Sequence, residues 1–519
     1  VECAEGLIGL EFTAAERDSM IEGLADHAES YEEIRSVELD NSVPPALNFQ
    51  VLASQERAVA GSSPPPPIPA EVVERPRDPA GFAFLPVLEL SELLRSRRIS
   101  STALTEIYID RLKRFGDSLQ CVVAITEDLA LEQARRADEE IAAGIYRGPL
   151  HGIPYGIKDL FSVAGYPTTW GAAPYKDQVR EETATVARKL EEAGAVLVAK
   201  LTLGALAWGD VWFGGKTKNP WNTEQGSSGS SAGSASATAA GLVGFSIGTE
   251  TWGSIVSPCT RCGVSGLRPT FGRVSRAGAM ALSWSMDKVG PICRTVEGCA
   301  LVFDAIHGPD GIDLTVVDRP FAYDPHMPVD GLRVGYTKDL FGEVYENAEN
   351  DLAALDVLRA LGIELIPVSL PEFSVMPMAV ILEAEAAAAF DELTRSGRDD
   401  MMVRQIKNAW PNVFRAARFI PAVEYIQANR MRTLLMRRME EFMSGLDVYV
   451  APSFGGDNLL RTNLTGHPCV VVPNGFDEDG GPTSVSFMGG LYDEASALAV
   501  AKAYQQASGF HLRHPEGFN

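Results

Sequence analysis

From Gln225 to Thr249 the chain carries no formal charge, in a protein where 22% of residues are charged. The stretch reads QGSSGSSAGSASATAAGLVGFSIGT and runs at once into Glu250-Thr-Trp-Gly-Ser254-Ile-Val. Six of its first twelve residues are serines and three are glycines, so its opening is too polar for a lipid-facing helix. From Ala232 it becomes an Ala-rich helix former and then an apolar strand-like run, Leu242 to Ile247, which a flexible linker does not do. The sequence therefore predicts a Gly/Ser loop, a helix of small residues and a strand, packed together in the protein's centre. Small side chains admit close backbone approach, and hydroxyls satisfy buried polar groups.

The rest of the chain supplies a large core around this stretch. Its 519 residues would make about three average domains, although large α/β enzymes often form one. Sixty-nine acidic residues against 45 Lys and Arg give a net charge of −24. That balance argues against nucleic acid, whose phosphates need a basic face, and against an anionic membrane surface. There is no uncharged apolar run of membrane-spanning length. Seven cysteines, an odd number spread thinly, suggest no disulfide framework. Cys259 and Cys262 form a C-x-x-C pair with no second pair or nearby histidine, so we expect structural thiols and no metal site. The first residue is Val1, so removal of a leader is open. The compartment stays open with it: cytoplasmic, or periplasmic or secreted.

Residues 1–52 read as a helical N-terminal extension. Thr13 and Glu16 have capping-box spacing, and Met20, Leu24, Ala28, Tyr31 and Ile34 form a stripe at helical period that needs a partner surface. Residues 53–83 read as a Pro-rich linker, with Gly61-Ser-Ser-Pro-Pro-Pro-Pro-Ile-Pro69 extended. From residue 84 to 519 helices and short apolar strands alternate. Leu88–Phe115, Ala130–Ala143, Glu181–Ala193, Ala379–Leu393 and Ala422–Leu446 are expected helices. Cys121–Ile125, Ala195–Ala199, Leu332–Tyr336, Val448–Ala451 and Cys469–Pro473 are expected strands. The pattern predicts an α/β domain whose sheet is covered on both faces.

His151-Gly-Ile-Pro-Tyr-Gly-Ile-Lys158-Asp159 puts a lysine at the end of an apolar, Gly-interrupted segment. A random lysine sits on a solvated face; one buried here would have a lowered pKa and offer a neutral amine as a base. Lys158, the Gly/Ser loop at 226–234, and Gly248-Thr-Glu-Thr-Trp-Gly-Ser254-Ile together resemble the amidase signature family. The flanks Lys218-Asn-Pro-Trp-Asn222, Cys262-Gly-Val-Ser-Gly-Leu-Arg-Pro-Thr-Phe-Gly-Arg-Val274 and Asn463-Leu-Thr-Gly-His-Pro-Cys-Val-Val-Val-Pro473 agree with it. The likeness spans roughly residues 85 to 515.

The resemblance implies a large mixed central sheet between helical layers and a Ser–cis-Ser–Lys triad. Two serine pairs compete for the bridging role, Ser227/Ser228 and Ser230/Ser231. In the family the bridging serine lies 24 positions before the nucleophile and 11 after the Asn of Asn-Pro-Trp. Counting from Ser254 and from Asn219, both land on Ser230. The implied roles are Lys158 as base, Ser230 as proton relay with a cis peptide bond, and Ser254 as nucleophile. The backbone N–H groups of Thr251, Trp252, Gly253 and Ser254 would form the oxyanion hole. Such chemistry calls for no metal or organic cofactor. Where the family commonly has Gly-Gly-Ser-Ile-Arg, this chain has Trp252-Gly-Ser-Ile-Val256; Glu250 stands where Asp is usual, and Ala232 where a glycine is. Trp252 is tolerable there if its φ is negative.

The implied function is amide hydrolysis through a serine acyl-enzyme on a small-molecule amide, with esters and carbamates as side substrates. Six of the seven tryptophans crowd the motif region, and Trp170, Trp208 and Trp252 are candidates for a pocket favouring bulky apolar or aryl amides. Residues 1–52 also resemble, faintly, the small C-type chain of the tRNA-dependent amidotransferase, with the main domain resembling its A-type chain. Glutamine hydrolysis that supplies ammonia to a partner is therefore the alternative enzyme. A catalytically silent scaffold is the alternative outside enzymes, opposed by the intact Lys158, Ser230 and Ser254. Oligomeric state is left open, a homodimer included.

Overall fold

The computed structural model describes residues 1–39, 46–47 and 73–518. Most of the expected linker, residues 53–72, lies outside the described residues; its end is irregular apart from a short turn at Pro79–Phe82. Among the described residues fifteen strands run in chain order: β1 Val122–Ile125, β2 Pro154–Lys158, β3 Val196–Leu201, β4 Val211–Trp212, β5 Gly215–Lys216, β6 Lys218–Asn219, β7 Asn222–Gly226, β8 Phe245–Glu250, β9 Ser265–Arg268, β10 Lys288–Cys293, β11 Val334–Thr337, β12 Leu365–Val368, β13 Val448–Pro452, β14 Cys469–Phe476 and β15 Pro482–Gly489. Two short hairpins, β4–β5 and β6–β7, precede the serine loop.

The other eleven strands form one mixed sheet in the order β1-β3-β2-β8-β10-β9-β14-β15-β13-β11-β12. Two parallel groups, β3-β2-β8 and β13-β11-β12, flank an antiparallel centre. The central strands are buried at nearly every position, as a sheet covered on both faces requires, and successive side chains go to opposite faces. In β3, Leu197 joins one apolar cluster while Val196 and Val198 join another on the opposite face. In β14, Val470 and Val472 face one way and Cys469 and Val471 the other. All seven cysteines are free thiols, and Cys259 and Cys262 are buried. No helix among the described residues is long and apolar enough to cross a membrane.

The expected segments form with informative differences. Leu88–Phe115 divides into Val87–Arg95 and Ser101–Leu119 because Ser100 caps the second helix, its hydroxyl accepting the Ala103 N–H. Ala379–Leu393 breaks at Phe390 into Val380–Ala389 and Asp391–Arg395. In the N-terminal helix Ala14–Ser36 both capping-box bonds form between Thr13 and Glu16. Its buried side is Met20, His27 and Ile34, not Ala28. A histidine displaces the alanine because it meets Glu383 across the interface. Glu22–Lys407, Glu16–Arg415 and Arg35–Glu424 pin the same helix along its length to the main body.

Candidate active site

Lys158 ends β2, and Glu250 ends the neighbouring parallel strand β8, so both stand at the carboxyl edge of one parallel group, where open α/β sheets place their ligands. The helix of small residues, Ala232–Ala239, is buried along its whole length and packs against β2, β3, β8 and β10. Small side chains are needed at this crossing. A Cβ on Gly248 would meet Ser231 Oγ at 2.7 Å, and one on Gly229 would meet the Gly209 carbonyl oxygen at 1.9 Å.

Lys158 is fully buried, and no carboxylate pairs with it among the described residues. Its Nζ reaches Ser230 Oγ at 2.8 Å, Thr249 Oγ1 at 2.8 Å, Ser231 Oγ at 3.1 Å and the Thr249 carbonyl at 3.3 Å. Burial pushes the amine down to about 7, against the upward pull of the Asp287 and Glu250 carboxylates. Lys200 on β3 is the contrast: equally buried, it sits 2.7 Å from the Asp159 carboxylate.

The Gly229–Ser230 peptide bond is cis. Of the two serine pairs, Ser230 and Ser231 face Lys158. Ser227 bonds the Ser228 carbonyl, and the Ser228 hydroxyl lies 2.7 Å from that of Ser257. The Ser231 N–H donates to the Ser254 carbonyl at 3.1 Å, which ties the serine loop to the segment carrying Ser254. Ser254 is 9% exposed and stands two residues before the helix Val256–Cys262.

Thr251 to Ser254 form the bend between β8 and that helix. Gly253 takes φ +82°, while Trp252 keeps out of the left-handed region, so the tryptophan is unstrained there. The N–H groups of Trp252, Gly253 and Ser254 meet no backbone acceptor among the described residues. The bend is held from two sides. Glu250 accepts the Ile255 and Val256 N–H groups at 2.8 and 3.0 Å, and binds Arg268 at 2.7 Å and Asn463 at 2.8 Å. Burial opposes that carboxylate's charge, but Arg268 and the Val256 N–H prevail and hold its pKa at about 2. On the other side the Thr251 hydroxyl donates to Asp287 at 2.6 Å.

A cavity of about 250 Å³ opens beside Thr249 and Thr251. Leu160, Met280, Leu282, Val289 and Trp284 supply its apolar wall, while Asp287, Lys288 and the Arg276–Asp313 ion pair supply its polar one. Trp284 is 51% exposed. Trp170 packs instead on Tyr175 and Trp208 on Trp410, each with ring centroids 4.6 Å apart. Trp252 is 37% exposed next to Ser254, and none of these three lines that cavity. Thr249, Asp287, Arg268 and Asn463 join the site without having stood out in the sequence. For Thr249, Arg268 and Asn463 the motifs they lie in are a usable signal; Asp287 has none.

A family model described as amidase matches residues 103–461. The A-type chain of the glutamyl-tRNA(Gln) amidotransferase of Methylococcus capsulatus is 34% identical over 477 residues, covering 83% of this chain and 98% of that protein. Among solved structures, the peptide amidase of Stenotrophomonas maltophilia superposes with a TM-score of 0.73 at 29% identity, covering 83% of this chain and 98% of that one. A chain from a vestigial protein complex bearing on the origins of an s-triazine catabolic enzyme gives 0.74 at 27%, covering 82% and 99%.

Proposed function

The chain belongs to the amidase signature family, and from that premise we propose a stand-alone hydrolase of amide bonds that works through an acyl-enzyme on Ser254. The observation that carries the reading is Lys158: a buried amine with a pKa of about 7, surrounded by hydroxyls and hydrogen-bonded to Ser230. In its neutral form it takes the Ser230 proton while Ser230 takes that of Ser254, whose Oγ attacks the carbonyl carbon. Negative charge gathers on the carbonyl oxygen, where the N–H groups from Thr251 to Ser254 receive it. The relay then returns a proton to the leaving amine, and water attacking by the same route releases the acid.

The substrate class we infer is an amide with an apolar or aryl acyl group. The wall formed by Leu160, Met280, Leu282, Val289 and Trp284 supports it. Esters and carbamates of the same acyl groups would be side substrates.

A second reading is glutamine hydrolysis, favoured by the identity to the A-type amidotransferase chain over nearly its whole length. Glutamine needs partners for its ammonium and carboxylate. Of the four charged side chains at this cavity, Arg276 and Asp313 bind each other at 2.9 Å, Asp287 accepts the Thr251 hydroxyl and Lys288 donates to the Met286 carbonyl. The net charge of −24 also disfavours direct contact with tRNA.

The test is hydrolysis of anilides, short aliphatic amides, an aryl carbamate, a peptide amide and glutamine, with Lys158→Met and Ser254→Ala as controls. Turnover of aryl or apolar amides, lost in both variants and with labelling of Ser254 by a serine-hydrolase probe, is expected. Activity on glutamine alone would replace this reading with the second.

A further inference from the structure

A second cavity, of about 200 Å³, shares no wall residue with the one beside Thr249 and Thr251. Phe84, Trp221, Arg294, His511, Arg513 and His514 line it. In a chain of net charge −24, two arginines and two histidines face this space against one carboxylate, Glu89.

Arg294 is the unusual member. It is 8% exposed, and no carboxylate pairs with it among the described residues. Its terminal nitrogens donate to the carbonyls of Thr238, Val243, Leu85 and Gly244 at 2.9 to 3.3 Å, and its Nε has no partner. Burying a cation is unfavourable unless an anion offsets it. Of the other buried cations, Arg268, Arg273 and Lys200 each have a carboxylate, while Arg111 is held by the carbonyls of Gly241, Ala240 and Phe518. At Arg294, too, only carbonyl dipoles do that work.

The neighbouring groups extend the pattern. The Arg513 guanidinium lies over the Phe476 ring, 4.4 Å from its centroid, and pairs with no carboxylate among the described residues. His511 and His514 stand in the same wall, with their Nδ1 atoms enclosed. The His514 ring stacks on Phe84 at 3.9 Å. Trp221 is fixed by its Nε1 bond to the Cys262 carbonyl at 2.8 Å. Cations in the wall select an anion, and flat aromatic walls in so small a space select a flat body.

We infer that this cavity is a binding site for a small, flat organic carboxylate, separate from the amide-cleaving centre. Cys262, in its wall, closes the helix that begins two residues after Ser254, so the ligand would sit at the far end of the nucleophile's own helix.

Isothermal titration calorimetry of the full chain at constant ionic strength tests this, with benzoate as probe, benzyl alcohol as its uncharged counterpart and inorganic phosphate as a compact anion. One saturable benzoate site is expected, with no heat from benzyl alcohol. Arg513→Gln, an exposed position, should weaken it about tenfold or more, and His511→Asn should weaken it too. Arg294→Gln removes bonds to four carbonyls and its folding would need checking by circular dichroism, so the inference does not rest on it. Absence of a saturable benzoate site, equal binding of benzyl alcohol, phosphate binding in place of benzoate, or unchanged affinity in both Arg513→Gln and His511→Asn would each overturn it. None of these readouts depends on amide hydrolysis.

Discussion

Replacing Glu250 by glutamine probes how the bend that carries Ser254 is held. The carboxylate is fully buried and receives two backbone N–H groups, Arg268 and Asn463. An amide keeps one acceptor oxygen and strands the buried Arg268 charge. The folded pKa of about 2 against an ordinary 4.5 sets the scale. At about 1.36 kcal/mol per unit, the charged form contributes on the order of 3 kcal/mol at neutral pH. Removing one partner of a buried ion pair costs a similar ~3–5 kcal/mol. Because the folded pKa is depressed, this stabilisation is fully present above the unfolded value of 4.5 and is lost as the pH falls through it towards 2. Urea unfolding followed by tryptophan fluorescence should show a deficit of about 3 kcal/mol for Glu250→Gln at pH 7, narrowing by about 1 kcal/mol at pH 3.5. Amide turnover should fall with it, since the freed Ile255 and Val256 N–H groups adjoin Ser254. A variant as stable as the parent at pH 7, or a deficit that does not narrow in acid, would refute the reasoning.

Three further outcomes follow from contacts of the same kind. Asp287→Asn removes a carboxylate that raises the Lys158 pKa, so the rising acid limb of kcat/KM against pH should move to lower pH; a limb that stays put or moves up contradicts this. Gly229→Ala places a Cβ 1.9 Å from the Gly209 carbonyl oxygen, and overpacking against backbone should cost about 3 kcal/mol and displace Ser230; an active variant of parental melting temperature would show that the loop yields. Met20→Ala empties a fully buried site under the N-terminal helix and should cost about 3 kcal/mol, read as a lower melting temperature and faster proteolysis near residue 14. Unchanged values for both would mean that the helix adds little.

The candidate centre is legible in the sequence because its parts are local. The serine loop, its spacing to Ser254 and the Gly-interrupted approach to Lys158 each lie within one short segment. What escapes depends on distant contacts. Nothing around Arg268 or Asn463 indicates that both reach Glu250, and Asp287 is one acid among 69 acidic residues. Strand β10 escapes because it carries Pro291, which lacks an N–H and argues against a central strand; it nonetheless pairs with β8 and β9, with Pro291 opposite Ile247. The break after Arg95 falls on Ser96-Arg-Arg-Ile-Ser100, where only Ile99 is apolar and Ser100 carries the capping signal. Ala28 reads as a core position while apolarity is the only guide, and only the fold supplies Glu383 to His27.

The burial of Ala232 to Ala239 has a consequence for motion. With every residue of that helix and of β8 enclosed, no small opening exposes their amides, and their hydrogens should exchange only when the whole domain unfolds. The half-exposed Trp284 and the Arg276–Asp313 pair stand on two irregular segments, before β10 and after the helix Val296–Ile306, at the cavity beside Thr249 and Thr251, which can fluctuate while that slab stays closed. Bond-breaking geometry and choice of substrate would then answer to different timescales, leaving the rim free to change its sequence without loosening what it surrounds.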